Sequence, residues 1–240
     1  MGSQVKNRPQ SIHGWVAAEL GTRIVSGVYA PGEYIPNETT IGEELNVSRT
    51  ALREAFKILA AKGLIESRPK LGTRIRPRKY WNMLDAEILS WCFESKPSPQ
   101  FFISLFEIRE IFEPAAAELA AKNRTEDQVA KLSDAYQAME NAELGTEEVF
   151  SSDLEFHLAV LEATNNEFMI SLGMTIQTAM MGLFRLSSSI EEEYKDSLPD
   201  HRAVYEAIAQ QDAAGAKQQM FELLADSKEN LDYALKHFVE

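Results

Sequence analysis

Apolar residues recur at helical spacing along most of the chain, and one short stretch breaks that rhythm. Ile12, Trp15, Val16, Leu20 and Ile24 fall near i, i+3, i+4 spacing, which predicts a first helix over residues 11–26. Gly27 and then Tyr29-Ala-Pro-Gly-Glu make a turn. A short second helix follows Pro36-Asn-Glu-Thr-Thr and runs through Ile41 and Leu45, with Thr39 or Thr40 as its cap. Asn46-Val47 is a tight turn into a third helix, whose apolar face is Leu52, Phe56 and Leu59 with Ala55 and Ala60. Ser48 can cap that helix, because its hydroxyl accepts from free N–H groups of the first turn. Gly63 follows Lys62 where a left-handed residue closes a helix. From Leu64 to Pro77 the residues are β-prone at both ends and turn at Pro69-Lys-Leu-Gly72, which predicts a two-stranded wing.

Beyond the wing the helical period returns. Residues 77–85 connect to a short apolar helix with Ile88, Leu89, Trp91, Cys92 and Phe93, ended by Ser95-Lys-Pro-Ser-Pro99. Phe102, Leu105, Phe106, Ile108, Phe112 and Leu119 predict a helix from Phe101 to Lys122, with Pro114 as a kink or a break. Thr125 caps a helix to about Leu144. Another starts at Thr146 or Glu147 and passes Phe150, Leu154, His157, Val160 and Leu161. Thr164-Asn-Asn-Glu is a turn before a Met-rich helix from Phe168 to Ser187. Residues 188–199 read as a polar connection, and Pro199–Gln210 and Ala213–Val239 as the last two helices. The predicted fold class is mostly α, with an N-terminal winged helix-turn-helix and a C-terminal all-α antiparallel bundle of six or seven helices. The expected domains are residues 1–78, a connector and linking helix over 79–98, and the bundle over 99–240.

Charge changes this picture. The 240 residues carry a formal net charge of −13, which argues against a nucleic-acid binder until the chain is divided. Residues 1–80 hold 13 Lys and Arg against 7 Asp and Glu, a net of +6; residues 81–240 hold 11 against 30, a net of −19. Only the first part is suited to a polyanion. No apolar run approaches the roughly 20 residues of a membrane span, and no signal-peptide apolar region stands near the N-terminus. The single cysteine, Cys92, lies between Trp91 and Phe93 and reads as a buried thiol in a reducing cytoplasm.

Two groups of side chains carry candidate chemistry. Arg49, Thr50 and Arg53 lie in the first turns of the third helix, on or beside its exposed face, as a helix reading the major groove requires. Arg68, Lys70, Arg74 and Arg76 crowd the wing, placed for the sugar-phosphate backbone. In the bundle, Asp153 and His157 are four residues apart and leave one face of a helix. His201 opens a later helix, and Arg109 stands in an apolar one. Buried charges need partners. Directed into one cavity, these groups suit a divalent metal, a carboxylate ligand, or both. The plainer alternative is a local Asp153–His157 pair with Arg109 bonded to Glu113.

The order Tyr29-Ala-Pro-Gly-Glu, Ile35-Pro-Asn-Glu, Val47-Ser-Arg-Thr-Ala-Leu-Arg-Glu-Ala, Leu59-Ala-Ala-Lys-Gly-Leu-Ile-Glu and Gly72-Thr resembles the winged helix-turn-helix of GntR-type bacterial transcription regulators. The resemblance covers nearly all of residues 10–78. It implies that Ser48, Arg49, Thr50 and Arg53 contact operator DNA, joined by wing residues Arg68, Lys70, Gly72 and Thr73. Two departures stand out: Thr39 replaces an arginine common early in the second helix, and Lys70-Leu-Gly replaces Gly-Arg-Gly at the wing tip. The C-terminal part resembles the FCD effector-binding domain of the FadR branch. That implies Asp153, His157 and His201 as ligands of one divalent ion (Zn, Ni or Mn), while the fourth ligand position falls at Leu223, which cannot ligate. The run Tyr80-Trp-Asn-Met-Leu-Asp-Ala-Glu-Ile-Leu-Ser-Trp is similar to the connector of galactonate-type sugar-acid repressors. It implies a sugar-acid effector whose carboxylate pairs with Arg109, while Asp153, His157, His201 and Asn165 or Asn166 serve its hydroxyls or a metal.

The reading that follows is a cytoplasmic homodimeric regulator, a repressor of sugar-acid catabolism released by a small carboxylate. Two rivals remain at this point. One is a metal-dependent hydrolase or isomerase with an accessory basic domain, although no nucleophile, base and oxyanion site come together. The other is a DNA-binding protein without an effector.

Overall fold

The structure is a computed structural model that describes residues 11–68, 71–175, 181 and 191–238. The chain divides into two compact units, residues 1–97 and 98–240. In the first unit α1 (Ile12–Val25), α2 (Glu38–Glu44) and α3 (Arg49–Ala61) precede an antiparallel pair, β1 (Ile65–Arg68) and β2 (Gly72–Ile75). Ser48 caps α3 by accepting from the Ala51 amide. α2 is capped by Asn37, which takes the Thr39 and Thr40 amides; neither threonine is the cap. Pro36 explains the difference, since it pushes the residue before it and the chain entry toward extended backbone and leaves Asn37 at the first position where a side-chain oxygen can reach back. The α2–α3 turn contains Asn46 in the left-handed region, φ 52°. At the other end of α3 the Leu64 and Gly63 amides return to the Leu59 and Ala60 carbonyls, a Schellman closure with Gly63 at φ 79°. A Cβ on Gly63 would lie 2.1 Å from the Tyr80 carbonyl oxygen, so the close approach also requires glycine.

Leu52, Ala55, Phe56 and Leu59 are the buried face of α3, while Ala60 is exposed. Ile65 and Ile75 pair across the wing and face the same core. Tyr34 adds an isolated bridge to Arg74, so the segment read as a turn also edges the wing. α4 (Ala86–Glu94) packs on α1, with the Trp91 ring against Gly21. Cys92 is buried in α4, and burial raises its thiol pKa.

The second unit is helical among the described residues. It holds α5 (Pro99–Asn123), α6 (Glu126–Asn141), α7 (Glu147–Ala163), α8 (residues 167–175), α9 (Glu191–Ala209) and α10 (Ala213–Phe238). Glu118–Lys217 and Glu110–Lys228 show α5 and α10 antiparallel, since one numbering rises as the other falls. α6 ends at Asn141, short of Leu144, before a turn with Gly145 at φ 77°. α5 continues through Pro114 without a break, and Ile108 is exposed instead of joining the core. α9 already covers residues 191–199, which were expected to be a polar connection, and carries Pro199 inside it. Proline favours a helix start, which is why Pro199 read as one; Tyr194, one turn earlier, is buried and anchors the preceding part of the helix. Of the Met-rich helix expected to Ser187, residues 176–180 and 182–187 lie outside the described residues.

Candidate functional site

On the first unit, Ser48, Arg49, Thr50 and Arg53 are all exposed, because the opposite face of α3 is turned into the core. The Ser48 hydroxyl oxygen is used in capping. Arg53 donates from Nε to Glu38 Oε2 at the start of α2, 3.1 Å away. On the wing, Arg68 and Gly72 are exposed, and the half-buried Thr73 accepts the Ile35 amide on its carbonyl. Lys70 lies outside the described residues. Arg68 and Arg74 converge on one atom, Glu66 Oε1, at 2.9 and 2.5 Å. Arg76 lies over the Tyr80 ring at 4.4 Å. The sequence reading missed both carboxylates. Glu66 had a signal, since a hairpin turning near Gly72 puts it opposite Arg74; Glu38 had none, because it meets Arg53 only where α2 crosses α3.

On the second unit, Arg109 of α5, Asp153 and His157 of α7 and His201 of α9 come together and are all buried. Glu113, one turn after Arg109, completes the group; it was considered only as a local partner for Arg109. Arg109 Nε donates to Glu113 Oε1 at 2.6 Å, and Arg109 Nη2 lies 3.3 Å from His157 Nε2. His157 Nδ1 is 2.8 Å from Glu113 Oε2. His201 Nδ1 is 2.8 Å from the Ser197 carbonyl oxygen, which can only accept. His201 therefore places its N–H on a fixed acceptor at Nδ1, His157 sets its Nδ1 against Glu113 Oε2, and both turn Nε2 toward Asp153. Both Nε2 atoms lie 3.3 Å from Asp153 Oδ1.

That geometry gathers electron-pair donors around one point. With Nδ1 protonated and the ring neutral, His201 Nε2 faces Asp153 Oδ1 without a proton between them, while His157 Nε2 accepts from Arg109 Nη2. Asp153 Oδ1 and His201 Nε2 are buried and make no hydrogen bond of acceptable geometry. A proton on an imidazole relieves the conflict, and so does a cation. Burial works against the charged forms of these groups, yet Arg109 and His157 hold Glu113 down at about 2. Both histidines likewise hold Asp153 well below the usual carboxylate range despite burial. Burial would lower His157, but Glu113 and Asp153 raise it above its ordinary value.

The same atoms fit a divalent ion. One donor from each of Asp153, His157 and His201 lies within 4.8 Å of the others. Carboxylate with imidazole suits Zn, Ni or Mn, and His201 donates its second nitrogen to the Ser197 carbonyl, as metal-bound imidazoles do. Leu223 is fully buried and contributes no donor. Asn165 is not brought to this group. It lies two turns beyond His157 on an exposed turn, φ 51°, donating to the Asn123 carbonyl and accepting from Gln128. A cavity of about 230 Å³ opens between α9 and α10 beside Ser197 and Leu223. Asp196, Asp200, Asp226 and Glu229 line it, so it disfavours an anionic occupant. Burial and Asp226 raise the Asp200 carboxyl.

Comparison with known proteins agrees with both units. The model for bacterial regulatory proteins of the gntR family matches residues 14–75, and the FCD domain model matches residues 104–226. The galactonate operon transcriptional repressor of Escherichia coli K12 is 32% identical over 90% of this chain and 95% of its own length. The Uxu operon transcriptional regulator of the same organism is 31% identical over 90% of this chain and 85% of its own. The solved structure of Lar, which controls the agr system of Listeria monocytogenes, covers 95% of this chain and 99% of its own at 20% identity with a TM-score of 0.68, a likeness of fold. No described helix is long and apolar enough to cross a membrane. The exposed basic helix, the wing and the buried polar group thus find their place together: the chain is a DNA-binding transcription regulator, not an enzyme, and belongs to the GntR family with an FCD domain as its C-terminal part.

Proposed function

We propose that this regulator is a homodimeric, cytoplasmic repressor of sugar-acid catabolism genes, and that a sugar acid bound in the helical unit releases it from DNA. The observation that carries the effector half is the buried group around Asp153, whose Oδ1 has no hydrogen bond although two imidazoles face it. An interior built only for stability would not gather unsatisfied donors in this way. The relatives named for the galactonate and Uxu operons support a sugar acid as the ligand class.

On this reading Thr50 and Arg53 meet base edges in the major groove, Ser48 and Arg49 at the helix start meet the flanking phosphates, and Arg68, Lys70, Gly72 and Thr73 of the wing meet the backbone or the minor groove. Two such units would read a pseudo-palindromic site. Asp153, His157 and His201 hold one divalent ion, which supplies positive charge for the oxygens of the ligand. Glu113 and the Ser197 carbonyl orient the two imidazoles. Arg109 is already engaged by Glu113, so a ligand carboxylate reaches Arg109 by exchanging with Glu113. Asn165 has no part in the pocket; its amide joins the ends of α5, α6 and α7.

Gel shifts on the DNA upstream of its own gene, with galactonate and hexuronates added in turn, test the reading. A shifted band that one acid abolishes is the expected result; no retardation at low salt would overturn it. Thermal melting with metal ions and the same acids tests the bundle separately, because a ligand bound only by the folded state raises the melting temperature. A protein without an effector would show no rise with any acid.

A further inference from the structure

We propose that Glu38 is a positioning residue for base reading: its carboxylate fixes the Arg53 guanidinium so that α3 reads one guanine in each half-site. The proposal rests on the DNA-binding role of α3 given above. The start of α2 is tightly held. Asn37 Oδ1 accepts from the Thr39 amide, the Thr40 amide and the Thr40 hydroxyl, at 3.0, 3.0 and 3.2 Å. Glu38 is the next residue, so its backbone is fixed relative to the turn that joins α2 to α3. From there its Oε2 accepts Arg53 Nε at 3.1 Å.

Both side chains are exposed, Arg53 at 67% and Glu38 at 39%. Pairs in that setting add little to stability because solvent screens them. The pair's consequence is therefore directional. A guanidinium carries its N–H groups in a rigid planar fork. With Nε given to Glu38, the guanidinium is held at one edge and its two terminal nitrogens are left to donate elsewhere. Their paired N–H groups match O6 and N7 of a guanine edge. The neighbouring carboxylate also cancels the charge that would otherwise draw Arg53 to the nearest phosphate. Arg49, which makes no ion pair among the described residues, keeps its full charge for that purpose. Glu38 thus makes Arg53 a base reader where an unheld arginine four residues along the helix would be a second phosphate clamp.

The test uses the full-length protein and a duplex defined by footprinting the wild type upstream of its own gene. Each base pair of one half-site is substituted in turn, and an unrelated duplex gives the sequence-independent affinity. R53A should flatten discrimination at one guanine. E38A should flatten the same position by about tenfold, with affinity for the unrelated duplex kept or raised. E38D keeps the charge but withdraws the acceptor and should behave like E38A, which covers the case in which E38A folds poorly. E38Q keeps an amide oxygen that can accept from Nε and should recover part of the discrimination. The double variant E38A/R53A should be no less selective than R53A alone. If R53A removes the preference while E38A and E38D keep it, the proposal is overturned and the Arg53 assignment stands. Equal loss on every duplex, the unrelated one included, overturns it too. If R53A leaves the profile unchanged, the Arg53 assignment falls and this proposal with it.

Discussion

Asp153 Oδ1 is an acceptor on which α7 and α9 both converge, through His157 and His201, and its neighbours decide what the pocket tolerates. Breaking a buried ion pair strands a charge, whereas replacing both partners does not. R109M or E113Q alone should therefore cost about 3–5 kcal/mol, and the R109M/E113M double variant less than the sum of its parts, as read by denaturation of the helical unit. Protonation gives a second handle. His157 lies above its ordinary value, so its contribution is present below about pH 6.5 and is lost as pH rises through the raised value. Glu113 is held at about 2, so its contribution is present above 4.5 and is lost as pH falls toward 2. With metal removed by chelation, the melting temperature should decline on both sides, and H157Q should abolish the alkaline decline and weaken the acid one, since His157 also helps hold Glu113 down. Gly63 sets a third test: G63A adds strain at φ 79° and a Cβ 2.1 Å from the Tyr80 oxygen. It should destabilise the first unit by about 2 kcal/mol or more in a thermal melt.

Elements were legible where local chemistry alone defines them. Ser48 and Gly63 bracket α3 because a cap hydroxyl and a left-handed glycine act within a few residues of themselves. Thr125 and Thr146 likewise start α6 and α7. The cap of α2 was misread because Asn37, Thr39 and Thr40 are all competent, and only the direction of entry after Pro36 chooses among them. The start of α9 was misread because Pro199 is a start signal locally but is tolerated inside a helix that packing supports. The Arg109–Glu113 bond is local to α5 and was legible, but the contact of Glu113 with His157, the role of Glu38 and the real position of Asn165 needed the crossing of separate helices, which no period in the chain encodes. Asn165 gives an element-scale prediction. N165A removes bonds to Asn123 and Gln128, and should lower the melting temperature of the helical unit without changing its affinity for the ligand in calorimetry. An affinity loss as large as that of H201A would return Asn165 to the pocket.

Across the whole molecule, charge and fold divide at nearly the same place. The basic residues collect before residue 80, and the first compact unit ends at residue 97. DNA affinity should fall steeply with salt because counterions are released from phosphates. Replacing Arg49 with alanine should reduce the slope of log affinity against log salt by about one and weaken binding on all sequences alike. The organisation into a reading unit and a ligand unit was legible from the charge split and the change of period after Gly63. The grouping of Arg109, Asp153, His157 and His201 was also legible, but the Ser197 partner of His201 was not, because it acts through its backbone carbonyl and leaves no mark on the residue pattern. Leu223 carries one more consequence. A buried leucine on that side of the cluster leaves an ion at Asp153, His157 and His201 short of protein donors. On the proposed function the ligand would complete its coordination, and the two would then bind with reciprocal affinity, each tightening the other by the same factor. Under the function proposed above, such a regulator would sense its sugar acid only in proportion to the metal at hand, and a cell starved of that metal would keep the controlled genes silent in the presence of their substrate.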